Sequence, residues 1–371
     1  MGQAFSVLAI NPGSTSTKIG LFHGSELVFS ENVSHDAAVL SEFDSISDQL
    51  AFRKETILKA LQTHSVNLSN IDAFVGRGGG LVSVEGGVYE INSVLLGDAR
   101  RGANGVQHPA QLGSQLAEEF SQMAGGKKAY VVNPPDTDEF CDNARMTGIK
   151  GIYRASHLHA LNLKETAIRH AHEMGKAYEE CNFIVCHIGG GVSVSAHQRG
   201  KMIDGNDIVG GDGPMSPTRT GSVPVTGVIQ YLKTHSIDEL FQCCMKTGGM
   251  ISFLETSDAK SVAAYAAEGD RASERVWEAM QYQICKEIGQ MACVLKGQVD
   301  GIVIGGGAAF NKQLIQTIQA SCEWIAPVSV YPGEFELEAM AAGANRVLSG
   351  KEEPKVYTGH PVFSGFAEFD N

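Results

Sequence analysis

The feature that most constrains this chain is Asn11-Pro12-Gly13-Ser14-Thr15-Ser16-Thr17-Lys18, set between the apolar runs Phe5-Ser6-Val7-Leu8-Ala9-Ile10 and Ile19-Gly20-Leu21-Phe22. Two β-rich runs joined by a glycine and hydroxyl turn read as a hairpin whose tip offers backbone N–H groups, hydroxyls and one ammonium. Such a tip suits a phosphate. Ser14, Ser16 and Lys18 alternate, which sets them on one side of an extended segment. A P-loop and a dinucleotide turn both open a helix and use its dipole, so a strand after the turn excludes both. A solvated Ser/Thr-rich turn accounts for the same residues, and the rest of the chain has to decide.

A length of 371 residues with 43% hydrophobic residues provides for two domains, each with its own core. The formal net charge of -13 argues against nucleic acid or an anionic membrane as partner. An anionic substrate must then be met by local basic residues. The eight cysteines show no Cys-x-x-Cys spacing, which disfavours a zinc site or disulfide framework and points to a reduced, cytoplasmic environment. No signal peptide and no apolar run long enough to cross a bilayer is found. Met1-Gly2-Gln3-Ala4-Phe5-Ser6 matches the loose myristoylation pattern, read as chance because the first strand begins almost at once.

Buried strands are expected at Asp72-Ala73-Phe74-Val75, Ala129-Tyr130-Val131-Val132, Phe183 to Ile188, Gly301-Ile302-Val303-Ile304 and Val328-Ser329-Val330-Tyr331. Helix-period stretches lie near 49 to 63, 110 to 124, 155 to 174, 271 to 296 and 335 to 348. This alternation is α/β. The hairpin around Ser14 is echoed by Val185-Cys186-His187-Ile188-Gly189-Gly190-Gly191-Val192-Ser193-Val194-Ser195, and a third glycine tip, Gly305-Gly306-Gly307, follows a buried strand. Two phosphate hairpins followed by a glycine loop suited to adenosine resemble the actin-like sugar kinase and heat-shock ATPase fold.

Within that superfamily the acetate and butyrate kinase family is resembled by the first loop and by Gly76-Arg77-Gly78-Gly79-Gly80, Ala144-Arg145-Met146-Thr147-Gly148, His159-Ala160-Leu161-Asn162, His187-Ile188-Gly189-Gly190-Gly191 and Tyr331-Pro332-Gly333-Glu334. Gly211-Asp212-Gly213-Pro214-Met215-Ser216-Pro217-Thr218-Arg219 and the tail Tyr357-Thr358-Gly359-His360-Pro361-Val362-Phe363 resemble its butyrate kinase branch in particular. The resemblance covers nearly the whole chain. It implies two actin-like (ribonuclease H-like) domains with a cleft between them: residues 1–150 completed by 340–371, and a nucleotide-binding domain over 151–339. It also implies transfer of phosphate from ATP to a short carboxylic acid with Mg²⁺, and a homodimer or higher homo-oligomer.

By the same resemblance, Arg77 would pair with the substrate carboxylate, Arg219 would contact the moving phosphoryl group, His159 would hold it in flight and His108 would lie near its path. Asn11 and Glu334 would serve the metal, with Glu336 and Glu338 crowding the same turn. Ser14, Ser16, Lys18, His187, Gly189, Gly190 and Gly191 would line phosphates; Asp258 and Gly305, Gly306 and Gly307 would meet the nucleoside. Where the family places an aspartate, ungapped counting from Ala144 puts Asn133, with Asp136 and Asp138 close by. A base is not needed, because an acid of pKa about 4 to 5 is already ionised at neutral pH. Positioning then suffices.

Each of these residues also has a plainer role, the arginines as surface ion pairs and His159 as a satisfied buried histidine. Glycine on both sides of Arg77 favours a ligand there. The nearest rivals are acetate, propionate or branched-chain acid kinases, since one methylene of pocket is worth only about 1 to 3 kcal/mol. A non-enzymatic nucleotide switch on this fold would not need Arg77, Arg219 and Glu334 together. A Rossmann dehydrogenase lacks its Gly-x-Gly-x-x-Gly turn.

Overall fold

The computed structural model describes residues 4–369, so the Met1–Gln3 part of the myristoylation-like hexapeptide lies outside the described residues. The chain divides into two units, Met1–Asp138 with Phe335–Ser364, and Glu139–Glu334 with Gly365–Asn371. Both crossings come earlier than the boundaries expected at 150 and 340, and the chain from Gly365 belongs with the second unit. Local bonding explains this. The Asp138 N–H still donates to the Val84 carbonyl at 2.8 Å, whereas Glu139 forms a buried ion pair with Lys164 at 2.7 Å and accepts from the Met202 N–H. The Phe366 ring packs edge-on against Tyr153, 5.2 Å between centroids, which ties the tail to the second unit.

In the first unit β1 (Ser6–Pro12), β2 (Ser16–His23) and β3 (Glu26–Ser34) form an antiparallel meander. The strand β4 (Ala73–Gly76) pairs parallel to β1, while β5 (Val88–Glu90) runs antiparallel to β6 (Lys128–Val132), itself parallel to β4. The short strand Lys355–Val356 closes the edge of this seven-stranded sheet. In the second unit β7 (Asn182–Ile188), β8 (Val192–Gln198) and β9 (Lys201–Gly205) repeat the meander, followed by the parallel strands β10 (Gly301–Gly306) and β11 (Val328–Pro332). The orders β3-β2-β1-β4-β6 and β9-β8-β7-β10-β11 are the same pattern. Each unit therefore has the actin-like arrangement.

Central strands buried on both faces read as continuous apolar runs. Val7, Leu8, Ala9 and Ile10 are all fully buried. On one face Leu8, Ile10 and Phe74 pack with Leu116 and Phe120 of the helix Leu112–Met123. On the other face the helix Glu336–Leu348 fits its Gly343 against Val132 and its Leu337 against Gly20. In β7 the alternation is the same: Phe183 and Val185 join Leu163 and Ala167, while Ile184, Cys186 and Ile188 join Trp277, Met280 and Ile284. Each such burial stabilises by about 1.5–3 kcal/mol relative to exposure.

One close approach sets up the site. A Cβ on Gly76 would lie 2.0 Å from the Gly113 carbonyl oxygen, and one on Gly113 would lie 2.1 Å from that of Arg77. The glycine pair lets the helix Leu112–Met123 touch the end of β4, where Arg77 leaves the sheet.

Candidate active site

The β1–β2 tip is organised by a residue that sequence reasoning missed. Arg53, on the helix Leu50–Thr63, is fully buried, and its Nη1 donates to the carbonyls of Gly13 at 2.8 Å and Ser16 at 3.2 Å. Its Nη2 reaches the Ser14 carbonyl at 3.3 Å, and the His35 N–H takes the Thr15 carbonyl at 2.8 Å. The tip's carbonyls therefore face the protein, leaving Ser14 and Lys18 exposed and Ser16 half-buried on the outer side. The only sequence signal for Arg53 was an arginine inside an amphipathic helix, which ordinarily reads as a solvated face.

Arg77 follows β4 and is buried, 7% exposed. Its Nη1 donates to the Asn133 carbonyl at a long 3.4 Å, and its Nε lies 3.9 Å from Glu336 Oε1. Burial lowers its pKa, opposed by Glu336 and Asp136. A buried guanidinium held this loosely has donors to offer a carboxylate. Asn133 is in the left-handed region at φ 38°, locked there because its Oδ1 accepts from the Gly87 N–H at 2.7 Å and its own N–H donates to the Gly87 carbonyl. Its side-chain oxygen is thus consumed locally, and it meets Arg77 through its backbone. Asp136, buried nearby in sequence, accepts from Asn104 Nδ2 at 2.6 Å; Asp138 is buried as well.

The carboxylate set against Asn11 is Glu336, whose Oε2 accepts from Asn11 Nδ2 at 2.5 Å. Glu334, expected to serve the metal with Asn11 near the opposite wall, belongs to the second unit. Mg²⁺-type cations take one or two protein oxygens and complete their shell with water and phosphate. Glu336 with Asn11 fits that donor set, and the described residues contain no cluster of three or more His, Cys, Asp or Glu side chains able to hold a metal by themselves. His108 caps the turn Pro109–Gln111, its Nδ1 accepting from the Ala110 N–H at 3.1 Å.

In the second unit the β7–β8 tip is Gly189-Gly190-Gly191, with the Gly190 carbonyl accepting from Ser216 Oγ at 2.8 Å and Thr218 Oγ1 at 2.9 Å. Those hydroxyls bring Arg219 across the tip: a Cβ on Gly191 would lie 1.7 Å from Arg219 Nη1 and 3.2 Å from His159 Cε1. Arg219 Nε and Nη1 are buried and bond to nothing among the described residues, and burial lowers its pKa against the pull of Asp207. His159 precedes the helix Ala160–Glu173; Ser193 Oγ accepts from its N–H at 3.2 Å and lies 2.8 Å from its Nδ1, and its ring lies 4.3 Å from that of buried His187.

A cavity of about 660 Å³ in this unit is lined by Gly189, Gly190, Asp258, Lys260, Trp277, Gly307, Phe310, Asn311 and Glu334 among others. The β7–β8 tip, Asp258, Gly307 and Glu334 thus share one wall system. Gly305 and Gly306 are buried within β10 and do not line it. Asp258 also caps the helix Ala259–Ala267, accepting from the Lys260 N–H and Ser261 Oγ, and the bond from Ser261 lowers its pKa. Lys260, Trp277 and Phe310, which the sequence did not single out, complete the cavity. Their spacing carries no motif.

The sequence model described as the Acetokinase family matches residues 148–353. Two proteins named probable butyrate kinase, from two strains of Clostridium botulinum (Eklund 17B / Type B and Alaska E43 / Type E3), are each 41% identical over 357 residues, 96% of this chain and 100% of theirs. The crystal structure of Porphyromonas gingivalis acetate kinase superposes with a TM-score of 0.73 at 18% identity, covering 93% of this chain and 99% of that one, a likeness of fold. A family model matching more than half of the chain, with relatives 41% identical along their full length, establishes that the chain belongs to the acetokinase family.

Proposed function

We propose that this chain transfers the γ-phosphoryl group of ATP to butyrate, giving an acyl phosphate and ADP in a reversible in-line reaction. Kinase activity on a short carboxylate goes with the family; the choice of butyrate rests on the 41% identity to relatives named for it. The observation that carries the reading is Arg77, a buried guanidinium with long contacts in a glycine-lined loop. Its fork pairs with the acid carboxylate, whose oxygen attacks the γ-phosphorus as the bond to the β-phosphate oxygen breaks. The acid arrives ionised, so no base is required.

Arg219 donates its unpartnered Nε and Nη1 to the charge developing on the phosphoryl oxygens. His159, held through its Nδ1 by Ser193, lies with its ring toward the same group, and His108 lies beside the path. The 660 Å³ cavity receives the nucleotide, with Gly189 and Gly190 at its phosphates and Asp258 and Gly307 at its nucleoside. Ser14, Ser16 and Lys18 grip phosphate from the first unit. Mg²⁺, when bound, neutralises phosphate charge; Asn11 with Glu336 is the pair we assign to it, in preference to Glu334. Asn133 positions Arg77 through its carbonyl.

No helix among the described residues is long and apolar enough to cross a membrane. All eight cysteines are free thiols, which supports a reduced, cytoplasmic setting. The helices Val225–Tyr231 and Ile237–Gln242 bury none of their residues and expose Val225, Ile229, Ile237 and Phe241, which supports self-association. The decisive experiment is a steady-state panel of C2 to C6 acids, straight and branched, with ATP and Mg²⁺. Butyrate should give the highest kcat/KM; a preference for acetate would overturn the choice of acid.

A further inference from the structure

All six hydrogen bonds of Arg53 end on uncharged oxygens: the carbonyls of Gly13, Ser14 and Ser16, Thr17 Oγ1, and Gln49 Oε1 twice. No carboxylate among the described residues pairs with it. His35, bonded to the other side of the Thr17 hydroxyl at 2.9 Å, is kept neutral by burial and by the Arg53 charge. A buried cation without an opposite charge is expensive, so its retention calls for a compensating anion nearby. The geometry says where. Peptide units are planar and trans here, so a carbonyl drawn toward Arg53 turns the following N–H the opposite way. With the Gly13 and Ser14 carbonyls held inward, the N–H groups of Ser14 and Thr15 face outward, on the side of the tip away from the guanidinium.

We infer that Arg53 is a positioning residue of the first phosphate tip: it orients the tip's peptide planes so that their N–H groups face a bound phosphoryl group, and its buried charge is completed by that group through the tip. This rests on the reading of the β1–β2 tip as a phosphate grip. The role is distinct from that of Arg77 and Arg219, because Arg53 is sealed beneath the backbone with its donors spent on the tip, Thr17 and Gln49.

The test uses the full chain with Arg53→Met, Arg53→Lys and, as separate controls on the tip itself, Ser16→Ala and Lys18→Met. Inorganic phosphate is titrated at several salt concentrations, KM is measured for butyryl phosphate and for ADP, and the thermal shift induced by phosphate is recorded. Arg53→Met should weaken phosphate binding and raise the KM for butyryl phosphate by on the order of tenfold or more, flatten the salt dependence, and move the KM for ADP much less. Arg53→Lys, which restores the charge, should recover most of the loss. A folded Arg53→Met variant that loses thermal stability but keeps its phosphate affinity and phosphate-induced shift would show a prop and nothing more. If the Met variant does not fold, Arg53→Gln, neutral but still donating, takes its place under the same two outcomes. Weakened binding in Ser16→Ala and Lys18→Met with unchanged binding in the Arg53 variants would sink this inference alone; unchanged binding in the tip variants would sink the grip as well.

Discussion

At the β1–β2 tip a guanidinium lies beneath the backbone and spends its donors on the tip's own carbonyls, whereas at the β7–β8 tip neutral hydroxyls from Ser216 and Thr218 take the Gly190 carbonyl and a guanidinium lies across the glycines with two donors unspent. The topology of the two hairpins is the same. Charge beneath a tip shapes and attracts; charge across a tip can follow a moving group. The first arrangement should therefore govern affinity and the second turnover.

The sharpest way to break this contrast is at Arg219. Arg219→Ala should lower kcat by on the order of 10³-fold, as loss of a transition-state arginine does, with KM for the acid changing far less. Gly191→Ala should reproduce much of that loss in a folded protein, because the added Cβ displaces the Arg219 side chain, not the backbone. Normal turnover in either would remove Arg219 from the chemistry. Next in size, Arg77→Ala should raise the KM for butyrate by on the order of 10- to 100-fold while that for ATP barely moves, the cost of one charge-assisted pair; equal effects on both substrates would count against the assignment.

A smaller effect separates the two glutamates that flank the crossing between units. Glu336→Gln should raise the Mg²⁺ concentration needed for half-maximal rate several-fold, because one anionic ligand becomes neutral, while Glu334→Gln should leave it near normal. The reverse result would return the metal to Glu334. Asn133→Asp keeps the oxygen that accepts from Gly87, so it should retain substantial activity and show no new acidic limb in kcat/KM.

The smallest effect concerns pH. Burial, and then Arg53, push the His35 pKa down to about 4 from an ordinary value near 6.5. A depressed histidine contributes stability that is present above pH about 6.5 and is lost as pH falls toward 4. Amide exchange in β1 and β2 should quicken across that window, and His35→Gln should remove His35's share of the dependence without altering the profile of β7 and β8. An unchanged β1–β2 profile in the variant would dissociate His35 from the tip.

The main elements were legible because their signals are local. Continuous apolar runs marked β4, β6, β7, β10 and β11, and the helices expected near 49 to 63, 271 to 296 and 335 to 348 are observed at Leu50–Thr63, Arg271–Val294 and Glu336–Leu348. The short helices between Val225 and Leu254 went unread, since exposed segments with few buried side chains carry little periodicity. Among candidate site residues, those in glycine-rich loops were visible because glycine is demanded wherever backbone and ligand, or backbone and guanidinium, come close, as at Gly191.

The amino-acid sequence by itself determined the alternation of strands and helices, the repeated glycine tips and the loops that carry Arg77 and Arg219, all of which depend on neighbours within a few residues. Tertiary structure alone decided that Arg53 lies under the first tip, that Glu336 meets Asn11, that Asn133 spends its side-chain oxygen on Gly87, and that Gly307 lines the cavity while Gly305 and Gly306 do not. The physical reason is common to all four. Which carboxylate, carbonyl or cation faces a given group is set by the register of strands and the rotation of helices far apart in sequence, and one residue of register or a fraction of a helical turn exchanges one partner for another.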